Sequence, residues 1–208
     1  MLSHKNFVSL FAALNANPTV RFNQNDVSVS YLPLPHVLER AVVTCMLNFG
    51  GSVVFFSGDI ARLKDDIALV RPTVFISVPR LFVRFYEAIT KKFDAVTGYA
   101  KSGLDHGLKI KIKNAQTNGG YTHKVYDPIF FNKTKAALGG RVRFMLSGGA
   151  PMLPDVHAFM KATMCAPLLE AYGQTESTGG SFITHSNDPM FGHVGGPTVI
   201  NMIILGEY

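Results

Sequence analysis

The chain of 208 residues is long enough for one well-cored domain or for part of a larger one. A composition of 47% hydrophobic and 16% charged residues excludes a disordered chain, and no run approaches the roughly 18 to 20 uninterrupted apolar residues of a membrane-spanning helix. The formal charge of +6 leaves nucleic acid, an anionic membrane surface and anionic substrates to be weighed as partners.

In chain order, MLSHKNFVSLFAALNANPTV opens with a short apolar stretch that Asn15 and Asn17 interrupt. No clear small-residue cleavage site follows, so it is not read as a secretory leader. VSVSYLP at 27–33 alternates as a strand does. His36 to Asn48 reads as a helix stopped by Gly50 and Gly51. SVVFF at 52–56 reads as a buried strand, and Asp59 as the cap of a helix IARLKDDIALV. On that helix Ile60, Leu63, Ile67 and Leu69 or Val70 fall near one face. PTVFIS at 72–77 is the next strand, and Pro79 suits the first turn of RLFVRFYEAITKKF. The polar, basic stretch at 97–125 reads as a helical excursion with a loop at Asn118-Gly119-Gly120. A helix over about 128–138 then ends at Gly139-Gly140, followed by a strand RVRFMLS at 141–147. A helix from about Pro154 to Thr163, a strand PLLEA at 167–171 and a last strand TVINMIIL at 198–205 complete the pattern.

Strands alternating with helices of this length imply right-handed crossovers, and so an α/β fold with a largely parallel sheet and helices on both faces. Such sheets bind ligands at the carboxyl ends of their strands. The three most unusual loops follow strands at those ends: Pro33-Leu34-Pro35-His36, Ser147-Gly148-Gly149-Ala150-Pro151 and Tyr172-Gly173-Gln174-Thr175-Glu176.

Each loop carries a chemical reading beside a structural one. EAYGQTESTGG offers a ring to stack on a nucleobase, a glycine for close backbone approach, a hydroxyl for phosphate and a carboxylate for Mg²⁺. It also suits a plain polar turn. SGGAP bends on two glycines and can present backbone groups to a flat ring, but no Gly-Lys-Ser/Thr follows, so it is not a P-loop. His36 either satisfies a helix end or walls an acyl or carboxylate pocket and takes part in acid–base work. Glu39 and Arg40 read as a surface or interhelical ion pair. Cys45 and Cys165, among apolar neighbours, read as buried thiols rather than a disulfide. Lys101, Lys109, Lys111 and Lys113 cluster around His106, either as a solvated face or as a membrane-surface contact. Aromatics interleaved with them are lacking, which argues against nucleic acid.

Taken in order, YLPLPHVLER, RPTVFISVPRLF, VRFMLSGGAPM, EAYGQTE and GHVGGP resemble the motifs of long-chain acyl-CoA synthetases, within the superfamily of adenylate-forming enzymes. The resemblance implies ATP-dependent activation of a fatty acid to acyl-AMP, then transfer of the acyl group to coenzyme A. It implies that Gly148, Gly149, Ala150 and Pro151 line the adenine, that Tyr172 stacks on it, and that Ala171 and Gly173 lie close by. It further implies that Thr175 contacts the α-phosphate, that Glu176 helps to hold Mg²⁺, and that His36 sits beside the acyl–phosphate junction. Gly195 and Gly196 would border the acyl pocket or the nucleotide, and Arg80 either joins them or merely starts a helix.

The family's Ser/Thr/Gly-rich phosphate loop lies upstream of a segment like MLSHKNF. Its ribose-binding aspartate and small C-terminal domain lie downstream of a segment like the last strand. Residues 1–208 are therefore expected to form part of the large AMP-binding domain, to be inactive alone and to self-associate. The expected placement is cytoplasmic or peripheral on an intracellular membrane. Two other readings stay open: a sibling enzyme that adenylates aryl or amino acids, and a non-catalytic paralogue that binds acyl chains or a membrane.

Overall fold

A computed structural model describes residues 1–17 and 20–199. Helix α1 (His4–Ala16) leads into strand β1 (Val27–Ser30), helix α2 (Val37–Asn48) and strand β2 (Ser52–Phe55). Helix α3 (Leu63–Val70), strand β3 (Val74–Ser77) and the long helices α4 (Pro79–Asp94) and α5 (Gly98–Asn118) follow. The short helix α6 (Asn132–Lys135), strand β4 (Phe144–Gly148), helix α7 (Pro154–Met164) and strand β5 (Leu168–Tyr172) come next, then the two-residue strands β6 (Phe182–Ile183) and β7 (Gly196–Pro197).

Strands β1 and β2 pair in parallel, as do β3, β4 and β5, and β6 and β7 extend the larger sheet antiparallel. The two sheets meet where β1 lies beside β3. The Val27 amide donates to Thr73 Oγ1 at 2.9 Å, and the Tyr31 hydroxyl to the Ile76 carbonyl at 3.1 Å.

The continuous apolar runs of β3, β4 and β5 have a simple cause. Alternate side chains point to opposite faces, and both faces are covered. Phe75, Met145 and Leu168 pack toward α3, α4 and α7, whereas Ile76, Leu146 and Leu169 pack toward α1 and α2. Helix α1 contributes through Leu10 and Ala13, which are buried.

At the amino ends of the strands the sheet is stapled by Asp26, which is buried just before β1. Its Oδ1 accepts from Arg143 Nε at 2.7 Å and from Thr73 Oγ1 at 2.8 Å, and its Oδ2 from the Asn23 amide at 2.9 Å. Arg143 Nη2 also bonds Asp26 Oδ2. One carboxylate thus ties the approaches to β1, β3 and β4, at the end opposite the loops singled out above.

Several sequence expectations need correction. SVVFF forms β2, but as an edge strand with Phe55 70% exposed. Asp59 caps only a short 3₁₀ turn, accepting from the Ala61 amide at 2.8 Å. In α3 that follows, Leu63 and Ile67 are buried and Leu69 faces out, as does Ile60 in the 3₁₀ turn, because the break between the turn and the α-helix shifts the face. The helix expected over 128–138 is three short pieces: a π turn (Asp127–Phe131), α6, and a 3₁₀ turn (Ala136–Leu138). RVRFMLS becomes strand only from Phe144, since Arg141 and Arg143 are drawn off to the Arg71 carbonyl and to Asp26.

Glu39 is no surface partner of Arg40. It is buried, its Oε1 meets no hydrogen-bond partner among the described residues, and burial pushes its carboxyl above the ordinary range. Lys111 leaves the basic face of α5 and is 1% exposed, bonded to Asp127 and lying 3.1 Å from Cys165 Sγ. Of the strand expected at 198–205, Thr198 and Val199 lie outside regular structure and the rest falls outside the described residues. No described helix is long and apolar enough to cross a membrane.

Candidate functional site

The parallel strands end at a cleft of about 530 Å³. One wall is the loop Gly149–Met152 after β4, a second is Ala171–Gly173 at the end of β5, and the third is Gly192–Gly195. Gly149 has φ +87°, a left-handed conformation that turns the chain sharply out of β4. The Met152 amide then donates to Glu170 Oε2 at 3.3 Å, which holds this loop to β5.

The second wall is built by a tight turn. The Gly179 amide donates to the Gln174 carbonyl at 2.9 Å and the Thr178 amide to the Thr175 carbonyl at 3.1 Å. A Cβ on Gly173 would lie 2.2 Å from the Gly179 carbonyl oxygen, so the turn closes only over glycine. Tyr172 is held on this wall by the edge of Phe182, with ring centroids 5.9 Å apart, and by Gln174 Nε2, which donates to its hydroxyl at 2.8 Å. Tyr172 is 44% exposed and lines the cleft, the placement that stacking on a planar base requires. Thr175 and Glu176 follow Gly173 in the turn and are exposed.

Beside the cleft lies a narrow apolar pocket of about 90 Å³ between α1, α2 and the sheet, lined among others by Leu10, Leu14, Val42 and Ile76. It shares Gly149, Ala171 and Gly173 with the cleft. Gly148 and His36 line this pocket rather than the cleft. His36 has the helix-end role that the sequence allowed. It caps α2, with Nδ1 accepting from the Leu38 amide at 3.2 Å, and it also lines the pocket.

The structure therefore brings together Gly149, Ala150, Pro151, Ala171, Tyr172, Gly173 and Gly195 around one cleft, with Gly148 and His36 on the adjoining pocket. Arg80 is not among them. It lines a separate groove with Lys64 and Arg84 beside Tyr31 and Phe56. Among the described residues no three His, Cys, Asp or Glu side chains form a cluster able to hold a metal.

Sequence reasoning missed Glu170, Met152 and His193, which also line the cleft. Glu170 carried a usable signal, because a carboxylate inside the apolar run PLLEA must find a buried partner. That partner is His157, whose Nδ1 lies 2.9 Å from Glu170 Oε1.

The sequence profile described as "AMP-binding enzyme" matches residues 1–207. The chain is 39% identical to Fatty acyl-CoA synthetase A of Dictyostelium discoideum over 197 residues, covering 95% of this chain and 29% of that protein. It is 40% identical to Long-chain-fatty-acid–CoA ligase 6 of Mus musculus over 212 residues, covering 99% of this chain and 29% of that one. Among solved structures, ATP-bound MatB from Rhodopseudomonas palustris superposes with a TM-score of 0.62 at 26% identity, over 95% of this chain and 30% of MatB. The chain thus spans less than a third of the length of these curated relatives. Because the profile match runs through every loop that lines the cleft, the chain belongs to the AMP-binding enzyme family.

Proposed function

We propose that residues 1–208 supply the adenine-binding and acyl-binding walls of a long-chain fatty acid–CoA ligase. One observation carries this reading: a cleft lined by Tyr172, Glu170 and His193 and an apolar pocket share the walls Gly149, Ala171 and Gly173. Adenylation needs that layout, since a carboxylate at the end of an apolar chain must meet the α-phosphate of a nucleotide bound next door. The relatives' names supply the acyl class, and the ATP bound to MatB supports the nucleotide.

In this reading the base lies between the Gly149–Pro151 loop and the Tyr172 ring. The carboxylate oxygen attacks the α-phosphorus and pyrophosphate leaves; the thiol of coenzyme A then attacks the acyl carbon and AMP leaves. The Thr175 hydroxyl donates to an α-phosphate oxygen, and His36, lining the acyl pocket, meets the carboxylate from the opposite side. Bringing two anions together makes positioning and charge neutralisation the main tasks of the site. Glu176 is an exposed carboxylate, an oxygen donor of the kind Mg²⁺ prefers, and would be the residue of this chain that holds the ion. Bound there, Mg²⁺ would supply neutralisation of phosphate charge.

The exposed face of α5, with Lys109 and Lys113 but without Lys111, is our proposed contact with an anionic membrane surface. We place the protein in the cytoplasm or at the surface of an intracellular membrane. The test of the central reading is ATP–pyrophosphate exchange in the complete reading frame, with fatty, aryl and amino acids offered in turn. Exchange that requires a long fatty acid supports it. Exchange that requires an aryl or amino acid moves the protein to a sibling activity, and no exchange with any carboxylate overturns the catalytic reading.

A further inference from the structure

We propose that His157, buried behind the cleft, is a positioning residue that holds two of the cleft's three walls in register; the inference rests on the nucleotide reading of that cleft. His157 lies on α7, touches no part of the cleft surface and is 3% exposed. Its Nε2 lies 2.7 Å from the Leu168 carbonyl, and its Nδ1 lies 2.9 Å from Glu170 Oε1. A carbonyl oxygen only accepts, so Nε2 carries a hydrogen. Nδ1 then faces the Glu170 carboxyl group at hydrogen-bond distance.

Through Glu170 the ring reaches the first wall. Glu170 Oε2, at the other end of the same carboxyl group, accepts the Met152 amide that closes the Gly149–Met152 loop. Through Phe191 it reaches the third. The Phe191 ring stands edge-on to His157, with centroids 4.7 Å apart, immediately before Gly192. One turn further along α7, the buried Lys161 donates to the Asp188 carbonyl at 3.0 Å and holds the approach to that same wall. Glu170 is itself fixed along the backbone, its amide donating to Thr184 Oγ1 at 2.9 Å and its carbonyl accepting from the Thr184 amide. The carboxyl group is thus left with little freedom except that set by His157.

Removing the imidazole leaves a buried carboxyl group without its partner, and the group then turns or draws in water, releasing the Met152 amide. The test uses the protein in its complete reading frame with His157→Leu, Glu170→Gln and the double variant. Amide exchange at Met152 is measured without nucleotide, and KM for ATP and kcat are measured by pyrophosphate exchange. In His157→Leu we expect faster exchange at Met152 and a KM for ATP raised about ten- to hundredfold, with kcat changed far less. Adding Glu170→Gln removes the unpaired carboxyl group and is expected to restore most of the KM. If the leucine variant does not fold, His157→Gln, which keeps one donor, is expected to show the same ordering in smaller degree.

Unchanged Met152 exchange and unchanged KM in His157→Leu overturn the inference. So does a fall in kcat and melting temperature with KM unmoved, which is the mark of a purely structural role. A wild-type protein that binds no adenine nucleotide overturns the nucleotide reading instead, and exchange at Met152 still decides whether His157 clamps the loop.

Discussion

The two thiols show how far a single residue's surroundings set its chemistry. Cys45 sits in the core between α2 and the sheet, and burial alone pushes its thiol up to about 12. At pH 8 about one molecule in ten thousand then carries the reactive thiolate. Burial also raises Cys165, with the ammonium of Lys111 offsetting part of the effect. We expect neither thiol of the folded chain to react with a disulfide reagent at pH 8 within minutes, and both to react after unfolding. Rapid titration of one thiol in the native protein would contradict this. The burial of both cysteines was legible in their apolar neighbours, whereas that of Lys111 was not. Its partners, Asp127 and Cys165, lie 16 and 54 residues away, and nothing within α5 announces them. Tyr172 allows a second test at this scale. Removing its ring by Tyr172→Ala should raise KM for ATP about tenfold or more, the worth of one base stacked on an aromatic ring, while Tyr172→Phe should stay near wild type.

Between elements, the parallel strands divide labour by end. Their carboxyl ends open into the cleft, and their amino ends are held by Asp26, Thr73 and Arg143. Burial opposes ionisation of Asp26, but hydrogen bonds from Arg143, Thr73 and the Asn23 amide outweigh it and hold the carboxyl below its ordinary range. A depressed folded pKa gives stability that is fully present above the unfolded value and is lost as pH falls through the folded one. Asp26→Asn should therefore cost about 2–3 kcal/mol at pH 7, at the lower end for a broken buried pair because Arg143 is partly solvated. The difference from wild type should shrink below about pH 4. Urea melts at pH 7 and pH 3.5 would show this, and an equal deficit at both would exclude the staple. Strands and helices were legible here from alternation, glycine stops and Pro79. The staple was not, since Asp26 and Arg143 stand 117 residues apart and meet only once the sheet has formed. Glu170 lies between these cases: the charge in an apolar strand was visible, and its partner on α7 was not.

For the whole molecule, the order of the strands decides which apolar run is covered, and composition does not reveal that order. SVVFF and PTVFIS are similar as sequence, yet β3 is buried on both faces and β2 stands at an edge. Among the described residues β2 pairs only with β1, so its far edge offers unpaired backbone groups beside the exposed Val54 and Phe55. An open edge with apolar side chains is a template for another strand. The formal charge of +6 works against association, and salt screens that repulsion while leaving the apolar contact intact. We therefore expect the 208-residue chain to associate reversibly, more at 0.5 M than at 0.05 M salt, and Phe55→Lys to weaken that association by placing a charge on the edge. Sedimentation velocity over a range of concentrations distinguishes the cases. A chain that stays monomeric at high salt would show that this edge does not drive association, and equal association of Phe55→Lys would move the contact to another surface.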